Sequence, residues 1–224
     1  MQIVIGNKNY SSWSMRPWVL AKEAGIPFEE VQLKFNEADG GLTVVGIERF
    51  GVAGKVPVLV IDGEPVWDSL AICETLAERF PEKHLWPADA RARQVARSIC
   101  AEMHAGFQAM RGAMPMNIRS LYPGKGMNDK SRRDIDRILA IWTSCREKFG
   151  KGGAMLFGRF SVADAYFAPV VMRFKTYGVD LPPVVRAYSD AVFALRGVRD
   201  WVEGALRETE FVPEDEPYAA GHRK

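Results

Sequence analysis

The chain has 224 residues, 47% of them hydrophobic and 26% charged, a composition ordinary for a protein that buries its own core as one large domain or two small ones. Its formal charge of +2 is spread along the chain, and the longest positive cluster, at 130–133, is broken by Ser131 and followed by Asp134, so no basic face for nucleic acid is expected. No run of 18 apolar residues occurs and no basic segment precedes the first apolar one, so neither a membrane span nor a signal peptide is expected, and the cytoplasm is the expected compartment.

Residues 1–5 read as a short apolar strand, followed by a polar turn and then Ser11-Ser12-Trp13-Ser14-Met15-Arg16-Pro17. Proline fits the first turn of a helix, so Pro17 places the helix start near Ser14 and leaves Ser11 and Ser12 in the loop before it. A thiolate held there would gain from the helix dipole and from a hydroxyl donor, which makes the serines candidates for activating a bound thiol; they read equally as N-capping residues. Residues 28–35 alternate as a second strand, and 36–50, with Gly40 and Gly41, reads as a mobile segment holding a short helix.

Lys55-Val56-Pro57-Val58-Leu59-Val60-Ile61 is then an apolar strand, Asp62-Gly63 a tight hairpin pair, and Val66-Trp67-Asp68-Ser69 a second strand leading into a helix whose face is Ser69, Ile72, Cys73, Leu76 and Phe80. Unpaired N–H groups at that helix start, beside the Asp68 carboxylate and the Ser69 hydroxyl, form a corner suited to the zwitterionic end of an amino acid. Pro57 cannot donate to a sheet ladder, so a cis bond at Val56-Pro57 is expected, exposing the backbone of Val56.

Two prolines in 81–87 mark a linker, and beyond it the pattern is helical. Ala92, Val95, Ala96, Ile99, Cys100, Met103, Phe107 and Met110 form one stripe, and Ile135, Ile138, Leu139, Trp142, Cys145 and Phe149 another, with a break over 114–128. Ser161 and Asp164 fit a capping box, further helices are expected at 184–195 and 198–206, and 208–224 reads as a polar tail that frays from Pro213. Cys73, Cys100 and Cys145 are odd in number and set in apolar patterns, so they read as core residues, with no disulfide, redox pair or metal site expected.

Val-Pro-Val-Leu, the hairpin and the Asp-Ser helix start, together with Ser11-Ser12-Trp13-Ser14 and the Gly-x-x-Ser-x-x-Asp run ending at Asp164, resemble the cytosolic glutathione transferase family over nearly the whole chain. The resemblance implies a thioredoxin-like domain at 1–80, a linker at 81–89, and an all-helical domain at 90–207 that forms the electrophile pocket. It implies glutathione as co-substrate and no metal. Val56 and Pro57 would pair with the cysteinyl backbone, Asp68 and Ser69 would hold the γ-glutamyl end, and Lys55 would reach the glycyl carboxylate or else be a solvated lysine. The serine motif is similar to that of the zeta class, placing thiol activation on Ser11 with Ser12 its neighbour; Trp13 stands where that class has cysteine. Electrophile-pocket candidates are Trp13, Met103, His104, Phe107 and Arg111, although Met103 and Phe107 also read as core and His104 and Arg111 as surface. Arg111, Asn117 and Arg119 could instead orient an anionic substrate. The implied activity is transfer of glutathione to a small electrophile; glutathione-dependent isomerisation, reduction of a disulfide or peroxide, and a non-catalytic interaction module are the alternatives. A homodimer is implied as well.

Overall fold

The computed structural model describes residues 1–36, 39, 43–50 and 54–219, and the expected mobile segment at 36–50 falls partly outside them. Strand β1 (Gln2–Ile5) leads through helix α1 (Ser12–Glu23) to β2 (Glu29–Gln32), which pairs with it in parallel. Strands β3 (Val58–Ile61) and β4 (Glu64–Val66) form the hairpin, and β3 lies antiparallel to β1, giving the sheet order β2-β1-β3-β4. Asp62 and Gly63, at φ of 54 and 86, both take the left-handed backbone that a two-residue hairpin turn of this twist demands. Val56–Pro57 is cis, and so is Trp67–Asp68.

The sheet sorts its side chains by strand alternation. Ile3, Ile5 and Leu59 face the helices and join the main core, whereas Val4 and Val58 point the other way and meet Leu33, Val44 and Ile47 in a smaller cluster. Helix α2 (Ser69–Arg79) covers the helical side of the sheet with Ile72, Cys73 and Leu76, all fully buried.

After a short 3-10 turn at Pro81–Lys83, α3 (Ala90–Ala105), α4 (Gln108–Ala113), α5 (Asp129–Phe149), α6 (Val162–Tyr177), α7 (Pro183–Ala194) and α8 (Arg196–Arg207) make the helical domain. The single stripe expected from Ala92 to Met110 is broken: α3 ends at Ala105, and Phe107 turns the chain with a φ of 60 before α4 starts. The apolar spacing continues across the break because Phe107 and Met110 are still core residues, so periodicity alone could not register the kink.

Helix α6 is buried on nearly every side. Its start is fixed by Asp164, whose carboxylate accepts the N–H of Leu156 at 3.0 Å and of Ser161 at 2.9 Å, as a capping box requires. Helix α1 packs against α2, α6 and α8. It therefore lies where the two domains meet, and one continuous core runs through both.

Candidate active site

The corner at the start of α2 joins the two domains. Asp68 is the N-cap of α2, and its Oδ1 accepts the Leu70 N–H at 3.1 Å. Its Oδ2 lies 3.4 Å from Nε2 of His104 on α3. Ser69 is buried, with Oγ 3.1 Å from the Tyr166 hydroxyl on α6, and that hydroxyl lies 3.3 Å from Nδ1 of His104. These four side chains form an open run of polar contacts, Asp68 to His104 to Tyr166 to Ser69, two from each domain. A cavity of about 370 Å³ opens beside them, lined by Trp13, Lys55, Val56, Pro57, Trp67, Asp68 and Ser69. Asp68 is half-exposed toward solvent, so its carboxylate has lone pairs left for an incoming ammonium group at the positive end of α2.

The serine turn precedes α1. Residues 7–10 turn tightly enough for the Ser11 N–H to reach the Asn7 carbonyl at 2.8 Å, and Met15 N–H then bonds the Ser11 carbonyl at 3.1 Å. Helical geometry therefore begins at Ser12 with Ser11 as N-cap, two residues earlier than Pro17 suggested. The proline sits inside the helix and forfeits one backbone bond, a loss that burial of α1 between the domains outweighs. The Ser11 hydroxyl does not cap the helix; it donates to Ser14 Oγ at 2.7 Å, and Ser14 Oγ also accepts the Gly6 N–H at 3.2 Å. Ser12 Oγ faces the other way and accepts from Nη2 of Arg173 on α6 at 3.2 Å.

A second cavity, of about 430 Å³, holds Ser11, Ser12, Arg111, Arg173 and Asp215, and shares Trp13, Lys55 and Val56 with the first. The guanidinium groups of Arg16 and Arg111 each lie 4.2 Å from the Trp13 ring centre. Burial pushes the Arg111 and Arg173 guanidiniums down to about 10, with a neighbouring arginine adding to the effect in each case: Arg16 for Arg111, and Arg111 for Arg173. Burial likewise lowers Arg16, whose Nε and Nη1 have no hydrogen-bond partner among the described residues. Arg111 and Arg173 spend their donors on main-chain carbonyls and Ser12, and neither forms an ion pair with a described carboxylate. Two guanidiniums in a half-closed space, offset in part by Asp215 beside Arg173, leave positive charge that favours an anion there.

Several expected site residues meet in these two cavities: Ser11, Ser12, Trp13, Lys55, Val56, Pro57, Asp68, Ser69 and Arg111 all line one or both. Met103 and Phe107 do not. They are 1% and 7% exposed and packed into the core, Met103 on the buried stripe of α3 and Phe107 at the kink that follows it, so the pocket expectation is corrected to the core one. His104 lines neither cavity; it braces Asp68 and Trp13, the latter edge-on at 5.2 Å. Arg119 and Asn117 also turn away from the cavities, toward the residue 8–10 turn and the segment after α8. Arg173, Tyr166 and Asp215 were not legible as site residues, since Arg173 and Tyr166 sit in an all-buried helix and Asp215 lies in what reads as a tail.

A family model described as the glutathione S-transferase N-terminal domain matches residues 10–79, and one for the C-terminal domain matches 89–204. The chain therefore belongs to the glutathione S-transferase family. It is 25% identical over 173 residues to a probable maleylacetoacetate isomerase of Caenorhabditis elegans, covering 77% of this chain and 78% of that protein. It is 27% identical over 175 residues to the mouse maleylacetoacetate isomerase, covering 77% of each. Among solved structures, a bacterial maleyl pyruvate isomerase, a zeta-class glutathione S-transferase, superposes with a TM-score of 0.69 at 21% identity, covering 94% of this chain and all of that one. A glutathione transferase homologue from Burkholderia with bound glutathione gives 0.67 at 22%, covering 91% and 97%.

Proposed function

We propose that this chain binds glutathione in the cavity beside Asp68 and transfers it to a small electrophile carrying an anionic group, held in the adjoining cavity by Arg111 and Arg173. The observation that carries the reading is that the two cavities share Trp13, Lys55 and Val56, and that the second also holds Ser11, Ser12 and the guanidiniums of Arg111 and Arg173. Asp68 takes the α-amino group of the γ-glutamyl end, Val56 offers its main chain to the cysteinyl residue, and Lys55 attracts the glycyl carboxylate.

Ser11 is the thiol-activating residue in this account. Its hydroxyl belongs to the same domain as Val56, and Ser14, already polarised by the Gly6 N–H, can rotate its own proton toward Ser11 Oγ, freeing the Ser11 proton for sulfur. Ser12 is tied to Arg173 and faces the electrophile side. The thiolate then attacks the electrophilic carbon; a carbon–sulfur bond forms and the leaving group departs with its electron pair.

A second reading is favoured by the two arginines and by the isomerases among the relatives. Here the thiolate adds to a conjugated double bond of a small unsaturated acid, the resulting single bond rotates, and the thiolate is expelled unchanged. Incubation with glutathione and either a chloroarene or a conjugated unsaturated acid separates the readings, because only the first consumes glutathione. Absence of glutathione binding by calorimetry would remove both. Homodimeric assembly is proposed too; sedimentation should give about twice the 25.0 kDa chain mass.

A further inference from the structure

Residues 208–219, after α8, depart most from the expectation of a frayed tail; residues 220–224 of that tail lie outside the described residues. The Glu208 carboxylate accepts the N–H groups of Lys8 at 2.6 Å and Asn9 at 2.9 Å, so it grips the turn that presents Ser11. Arg119 donates to the main-chain oxygens of Glu208 and Glu210, and the hydroxyls of Tyr10 and Tyr122 donate to the two carboxylate oxygens of Glu216 at 2.7 and 2.9 Å. Tyr218 donates to the Ala113 carbonyl at 2.8 Å.

Between these anchors a 3-10 turn, Pro213–Asp215, brings Asp215 to the wall of the cavity that holds Ser12, Arg111 and Arg173. The Asp215 side chain makes no hydrogen bond to a described residue, yet it lies close enough to Arg173 to be attracted by it, and burial holds its carboxyl up at about 6. The fixed anchors on either side mean that this charge is part of the pocket wall and not a passing loop.

We propose that Asp215 is a specificity-determining residue that sets how much negative charge the electrophile pocket accepts. The proposal rests on the glutathione reading above. Asp215 offsets the field of Arg173, so an anionic group on the electrophile finds full attraction only at Arg111 and meets a like charge on the tail side. Without the Asp215 carboxylate, anionic electrophiles should gain over neutral ones of the same shape.

The test uses two chemically prepared conjugates, S-(4-carboxybenzyl)glutathione and its carboxamide, titrated by calorimetry at neutral pH against the full chain, so that no turnover is required. In Asp215→Asn the affinity for the carboxylate relative to the carboxamide should rise about tenfold, the scale of one like-charge interaction in a half-buried site. Glu214→Gln, which removes an exposed charge from the same turn, should move that ratio less than twofold. Asp215→Ser gives the same readout should the asparagine variant misfold. If both conjugates bind and the ratio is unmoved by either Asp215 variant, the proposal is wrong while the glutathione reading stands; if neither binds the unmodified chain, the glutathione reading fails and takes the proposal with it.

Discussion

The hydroxyl oxygens of Ser69 and Tyr166 lie 3.1 Å apart across the boundary between the two domains. That contact, with the Asp68–His104 pair beside it, makes the corner proposed for the γ-glutamyl end a property of both domains. Tyr166→Phe removes one net hydrogen bond, about 0.5–1.5 kcal/mol, so glutathione affinity should fall about two- to tenfold. Asp68→Ala removes a charge-assisted partner, about 1.5–3 kcal/mol, and should cost more than tenfold. Calorimetric dissociation constants decide it, and an unchanged value for Asp68→Ala would take that residue out of the site.

Among the described residues Arg111 donates to the Met103 and His104 carbonyls and to no carboxylate, so its charge remains available to a ligand. Arg111→Met should raise the KM for an anionic electrophile more than tenfold and leave glutathione affinity within about twofold, on the same scale for a charged hydrogen bond. Equal losses for anionic and neutral electrophiles would show a packing role instead.

Asp164 gives a stability prediction with a definite sign. Burial lifts its carboxyl from 3.8 to about 6 in the folded chain, against the opposing pull of the Leu156 and Ser161 donors. The folded state then binds the proton more tightly than the unfolded state, so this contribution to stability is complete below about pH 4 and is lost as pH rises through about 6. With two units corresponding to about 3 kcal/mol, the unfolding free energy of Asp164→Asn should vary less between pH 4 and 7 than that of the parent chain by roughly that amount. Denaturant titrations at both pH values test this; an equal change in unfolding free energy between the two pH values for both chains would contradict it.

The sequence discloses what local chemistry enforces. Asp62-Gly63 demands a tight hairpin, Asp68 caps a helix, and the Ser161–Asp164 box starts another, because each is decided within a few residues. The start of α1 was misplaced by two residues because the Asn7 carbonyl draws the chain into a turn before the proline can act. Met103 and Phe107 could not be separated from pocket residues, since a kink at Phe107 with left-handed φ leaves the apolar spacing intact. Arg173 and Asp215 were hidden for another reason: they reach Ser12 and its cavity across 161 and more residues of chain, and no pattern in a window of sequence encodes that distance.

The central claim is that the thiol of bound glutathione is held as a thiolate by Ser11, backed by Ser14. The most direct measurement is the pH dependence of thiolate absorbance in the glutathione complex of the parent chain, Ser11→Ala, Ser12→Ala and Ser14→Ala. One hydroxyl bond to a thiolate contributes about 1.5–3 kcal/mol, and each pKa unit is 1.36 kcal/mol, so Ser11→Ala should raise the bound thiol by roughly one to two units. Ser14→Ala should raise it by a smaller step in the same direction, and Ser12→Ala should leave it nearly in place, with glutathione affinity kept in all three. A shift carried by Ser12→Ala alone, or by none of the variants, would contradict the account.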